Sequence, residues 1–184
     1  MSTLTDAIAQ LADASAEVRH RAASELYRAG RGLGDAATEA WRNDAEFAAL
    51  LTAQPTVGVA VQPEHFLKIR AAAGMPRLAD VPPDQDAQEF ELHLGEARLD
   101  ILTTRAPGGS GAIAKFLERF GEGIQQVEYF VRNVDRASDI ARTRFGVNPI
   151  YPQTRAGADA TRVNFFLAST PAGRRVLIEL VEAN

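Results

Sequence analysis

The order strand, helix, strand, strand comes twice in this 184-residue chain. Self-similarity over roughly sixty residues constrains a fold more than any single motif, because duplicated supersecondary units share a core and leave an interface suited to a ligand. In the first half, β-branched Thr56, Val57, Val59 and Val61 alternate with small residues, so Thr56 to Gln62 reads as a strand. A helix over Glu64 to Ala73 follows, then strands over Gln88 to Leu94 and Arg98 to Thr104 around a Gly95-Glu96 turn. Met75 to Val81 is a candidate for one more strand before the Pro82-Pro83 break, which would make the unit βαβββ. A connecting helix over Ala112 to Arg119 leads into the second half. There the strands are Gln126 to Val131, Val147 to Tyr151, Thr161 to Leu167 and Val176 to Glu182. The helix is Asp135 to Phe145, starting behind Asn133, and Arg155 to Ala160 reads as a loop.

Ahead of the repeat lie short helices. Leu4, Ile8 and Leu11 make one apolar stripe, and Val18, Ala22, Leu26 and Ala29 a second. The Gly30 to Gly34 stretch is expected to break the second helix, Asp35 to cap a third carrying Trp41, and Asp44 to open a fourth ending near Leu51. The period changes at Gln54-Pro55. The expected organisation is a helical extension over 1–53 and one domain over 54–184, with modules at about 55–105 and 123–183.

Composition removes several classes of function. Twenty Lys plus Arg against twenty-four Asp plus Glu give a net charge of −4, which argues against a nucleic-acid partner needing a basic face. Zero cysteines exclude disulfides, thiolate nucleophiles and sulfur-bound metals within the chain. The N-terminus MSTLTDAIAQ has no export signal and no stretch is long and apolar enough to span a membrane, so a cytoplasmic location is expected.

Two acids are out of place. Strand residues alternate faces, and in VLIELVE both faces are apolar around Glu179; ARLDILTT sets Asp100 between Leu99 and Ile101 in the same way. A buried carboxylate costs several kcal/mol unless it finds a cation, a donor or a proton. Either these acids serve a site, or Arg98, Arg162 or Arg175 merely balances them. Thr56 and Gln126 open the first strand of each half and become candidates through the repeat. His20, His65 and His93 have no metal-ligand spacing. Arg19, His20, Arg21, Arg28 and Arg31 read as a solvated helix face rather than an anion site. GEGIQQ and APGGSG lack the flanking pattern of phosphate loops and read as turns.

GSGAIAKFLERFGEGIQQVEYFVRNVDRASDIA and GRRVLIELVEA resemble the second module of methylmalonyl-CoA epimerases and related glyoxalase-like proteins of the vicinal oxygen chelate superfamily. The resemblance runs from about Pro55 to Ala183. It implies an α+β fold of two paired βαβββ modules forming a cupped mixed sheet, here behind an N-terminal helical extension. It also implies a metal site with one residue from the first and one from the last strand of each module, which here are Thr56, Asp100, Gln126 and Glu179. The epimerases carry histidines where this chain has Thr56 and Gln126, so the metal site is altered. Asp100, Gln126 and Glu179 form an oxygen-rich set suited to Mg²⁺, Mn²⁺ or Ca²⁺ if a metal binds at all. Asp84 and Asp86 fall near the family's second catalytic acid.

The function implied is that of an isomerase or lyase acting by proton abstraction next to a carbonyl, on an acyl thioester or keto acid. Glu179 and Asp100 would be the catalytic acids, and Thr56, Gln126 and Arg98 would hold substrate. The alternative is a metal-free module that binds a small molecule without turnover. A protein-interaction role for the N-terminal helices is a third reading. A small-molecule partner and a homodimer are expected.

Overall fold

The computed structural model describes residues 3–183. The elements are α1 (Leu4–Gln10), α2 (Ala16–Ala37), α3 (Glu39–Asn43), α4 (Ala45–Leu50), β1 (Thr56–Ala60), α5 (Pro63–Ala72), β2 (Ala87–Leu94) and β3 (Ala97–Thr104). They continue with α6 (Ala112–Phe120), β4 (Gly123–Phe130), α7 (Val134–Phe145), β5 (Arg155–Ala156), β6 (Arg162–Ser169) and β7 (Arg175–Glu182). The class is α+β. Two compact units divide the chain: the residues up to Gly30 join Val57–Gln125, and Arg31–Thr56 join the chain from Gln126 onward.

In the first unit the strand order is β2-β3-β1. β1 runs parallel to β3, with Val57 opposite Leu99 and Gly58 opposite Asp100. β2 and β3 form a hairpin through Gly95, whose positive φ of 61° suits the tight turn. Phe66 and Ile69 of α5 pack on Val57, Val59, Phe90, Leu99 and Ile101, and Ile8, Leu11 and Leu26 join the same core. Phe66 meets Phe90 edge to face at 5.0 Å.

The second unit repeats the plan in the order β4-β7-β6-β5. β4 runs parallel to β7, with Gln126 opposite Leu177 and Glu128 opposite Glu179, and β6 pairs antiparallel with β7. Its core is built from Trp41, Phe47, Val127, Tyr129, Ile140, Phe166, Ile178 and Leu180. Trp41 packs edge-on against Phe47 (5.8 Å) and Phe166 (5.6 Å). Full burial of each such ring stabilises the fold by about 1.5–3 kcal/mol. Asn133 caps α7 by accepting from the Arg136 amide, and Gly146 ends it in the left-handed conformation.

The structure differs from the sequence expectation at five places. Gly30 to Gly34 do not break α2, which runs unbroken to Ala37. A Cβ on Gly30 would lie 2.3 Å from Val57 Cγ1, and one on Gly34 2.7 Å from Val127 Cγ1, so these glycines admit close approach of the helix to β1 and to β4. Asp35 therefore caps nothing: it sits inside α2 and accepts from the Tyr129 hydroxyl at 3.1 Å. Met75 to Val81 is not a strand; the Ala79 amide bonds to the Glu89 carbonyl of β2 at 3.0 Å. Val147 to Tyr151 is likewise reduced to a bridge between Pro149 and Phe166 and a bond from the Ile150 amide to the Phe165 carbonyl, 2.7 Å. Pro76 and Pro149 have no amide proton to give a ladder. Within the expected loop Arg155 to Ala160, the two-residue β5 pairs with β6.

Candidate functional site

Register, rather than distance along the chain, assembles the site. On β4, Val127 and Tyr129 enter the core of the second unit, so alternation turns Gln126 and Glu128 to the other face. On β7, Ile178 and Leu180 enter the same core and Glu179 faces with Gln126 and Glu128. Because β4 and β7 are parallel and in register, Glu128 stands directly beside Glu179. Gln126, Glu128 and Glu179 are all buried, at 8%, 5% and 8% exposure.

One amide serves both acids. Gln126 Nε2 donates to Glu179 Oε2 at 2.6 Å and to Glu128 Oε1 at 2.9 Å. The two N–H directions of an amide diverge by about 120°, which sets the two accepting oxygens about 5 Å apart. Two negative charges at that distance repel by on the order of 3 kcal/mol at an effective dielectric constant of about 20. Each charge-assisted hydrogen bond returns about 1.5–3 kcal/mol. That gain stands against both the repulsion and the desolvation of two buried acids, so the amide is one contribution beside the further interactions that both carboxyl groups make.

Next to the acids the face turns apolar and aromatic. Phe165 of β6 is opposite Glu179, and Leu167 is opposite Leu177. Tyr151 meets Phe165 edge-on at 6.0 Å, and the Arg155 guanidinium carbon lies 4.4 Å from the Tyr151 ring centre.

The remaining candidates lie as follows. Thr56 is buried at the start of β1. Asp100 is half-buried on β3, beside Gly58 of β1 and opposite Glu91 of β2. Arg98 lies on the same face of β3, and its Nη1 donates to the Gly95 carbonyl at 3.1 Å. In each unit an acid of the last strand is paired with the residue two positions after Thr56 or Gln126, Gly58 in one and Glu128 in the other. Asp84 sits in a short 3₁₀ turn, and Asp86 accepts from Thr104 Oγ1 at 3.3 Å beside Gly109 and Gly111. Arg162 pairs with Asp135 (2.6 Å) and Glu182 (3.2 Å), and Arg175 is exposed.

Sequence reasoning missed Glu128. The signal was present: QVEYFV sets an acid between Val127 and Tyr129, the same pattern that singled out Asp100 and Glu179. It also missed a tie between His65 Nδ1 and Glu122, 3.0 Å to Oε2, with the Gln62 amide donating to Glu122 Oε1 at 2.8 Å. His93 is exposed and lies 3.6 Å from Glu91.

The donor set does not fit the metal that the epimerase likeness implies. A hard divalent cation needs oxygens converging on it. Between Glu128 and Glu179 stands an N–H₂ group that donates to both. Among the described residues no group of three or more His, Asp or Glu side chains is placed to hold a metal ion. Among them, too, no helix is long and apolar enough to cross a membrane.

No protein-family model matches the chain, and no curated protein matches it in sequence. Solved structures do. Methylmalonyl-CoA epimerase from Mycobacterium tuberculosis is 29% identical over 73% of this chain and 90% of its own, with a TM-score of 0.59. A methylmalonyl-CoA epimerase variant of Streptomyces coelicolor, in complex with 2-nitronate-propionyl-CoA, is 24% identical over 72% of this chain and 98% of its own, with a TM-score of 0.56. A methylmalonyl-CoA epimerase in complex with methylmalonyl-CoA and NH₄⁺ is 24% identical over 72% of this chain and 95% of its own, with a TM-score of 0.55.

Proposed function

Starting from the vicinal oxygen chelate fold that the chain shares with methylmalonyl-CoA epimerases, we propose that it is an isomerase or lyase that removes a proton next to a carbonyl of an acyl thioester or keto acid. The observation that supports this best is the buried 2.6 Å hydrogen bond from the Gln126 amide to Glu179. Glu179 is the base. Its Oε2 is held by Gln126, and the carboxylate accepts the α-proton as the C–H bond breaks and negative charge moves onto the carbonyl oxygen. A donor from Thr56 stabilises that oxygen, and Glu179, after exchanging its proton with solvent, returns a proton to carbon. No step passes through a metal. Small acyl-CoA esters are the class to try first, since structural relatives are described in complex with them.

A second reading, binding of a small organic molecule without turnover, draws on the aromatic run Phe165, Tyr151 and Arg155 beside Glu179. Incubation of the protein with acyl-CoA esters and keto acids in deuterated water, followed by mass spectrometry, separates the two. Deuterium entering the α-carbon, and its loss in Glu179→Gln, is the expected result. Ligand binding by calorimetry with no deuterium uptake would favour the second reading and overturn the first. A homodimer forms part of the proposal, and sedimentation equilibrium tests it.

A further inference from the structure

Glu128 is a carboxylate without a job in the scheme above, yet it lies 5% exposed, where an acid costs free energy unless it is held by donors. Its place is set by backbone register, directly beside Glu179. Its Oε1 accepts the Gln126 N–H that Glu179 does not use.

A glutamine side chain turns about a broad, roughly two-fold final torsion, and its two ends differ only in whether they donate or accept. With one acid as partner, half of its donor capacity is left to other groups. With an acid at each N–H, both donors are engaged, and rotating the amide would set its Oε1 against a carboxylate oxygen. The first unit supplies the contrast: the position that pairs with Asp100 is Gly58, which has no side chain.

We propose that Glu128 is a positioning residue, which holds the Gln126 amide with both N–H groups on the carboxylate pair, so that Gln126 is a fixed hydrogen-bond bridge to Glu179 and not an oxygen ligand of a cation. The positioning is a property of the folded chain; only its catalytic effect rests on the function proposed above.

Side-chain amide NMR of ¹⁵N-labelled full-length protein tests it, with Glu128→Gln and Glu128→Ala beside the unchanged chain. Two well-separated, slowly exchanging Gln126 N–H signals are expected, and millimolar Mn²⁺ is expected to leave them sharp. In each variant those protons should exchange about tenfold faster or more while backbone amides far from β4 keep their protection. If one variant fails to fold, the other and the Mn²⁺ arm still decide. Unchanged Gln126 signals in a folded variant, or Mn²⁺ broadening them in the unchanged chain, would overturn the proposal. Where the unchanged chain catalyses α-proton exchange, Glu128→Gln should lower kcat about tenfold with little change in KM. An unchanged kcat would limit Glu128 to holding the amide and remove its catalytic effect. A chain with the expected signals but no exchange activity sinks the proposed reaction and leaves the positioning intact.

Discussion

The two units carry one register and two different contents. In the first, β1 and β3 align Gly58 with Asp100; in the second, β4 and β7 align Glu128 with Glu179. Asp100 is half-buried, whereas Glu128 and Glu179 are buried together under one amide. The backbone plan has been kept while the polar load has been moved to one side. Duplication supplies equivalent positions, and chemistry is then set by which of them carry side chains that can share hydrogen bonds.

The largest effect should fall on the acids. Glu179→Gln is expected to lower α-proton exchange by about 10²–10⁴-fold and Asp100→Asn by less than about tenfold, because the proposed step removes and returns the proton through Glu179. Equal losses, read by mass spectrometry, would erase the functional asymmetry. The cores should behave alike instead. Phe90→Ala in the first unit and Phe166→Ala in the second each remove a fully buried ring and should cost about 3–5 kcal/mol in urea unfolding. A gap larger than about 2 kcal/mol between them would show that the two cores are not energetic equivalents.

Gly30→Ala and Gly34→Ala should each destabilise by about 1–3 kcal/mol, since the new methyl group meets Val57 in one unit and Val127 in the other. Gly32→Ala, with nothing within 4 Å of its Cβ, should stabilise by up to about 1 kcal/mol by thermal unfolding. The smallest effect concerns alkaline pH. Burial raises the Tyr129 hydroxyl well above the usual phenol range, with Thr38 and Asp35 beside it. A raised folded value means that the stabilisation is whole below the unfolded tyrosine value of about 10 and is lost as pH climbs past it. Tyr129→Phe should flatten that fall in a pH series of unfolding curves.

Much of this was legible in the chain. Alternation of β-branched and small residues marked β1, and acids set among apolar neighbours marked Asp100 and Glu179. What was not legible depended on contacts distant in sequence. Gly30 to Gly34 look like a helix breaker until Val57 and Val127 are seen against them. Glu128 was readable by the same alternation, but its importance comes from a cross-strand register that no local pattern prints. Met75 to Val81 and Val147 to Tyr151 have apolar content suited to strands, and prolines withhold the amide protons that would complete them.

Those two incomplete segments matter for more than the strand count. β2 ends its unit's strand order, and the segment beside it bonds to it through Ala79. At the far end of the other unit, Pro149 and Ile150 lie along β6 next to the two-residue β5. Long, flat margins recruit further chains into fibrils, and prolines or very short strands at those margins discourage it. Prolines and the two-residue β5 thus leave little of each border able to template a further strand.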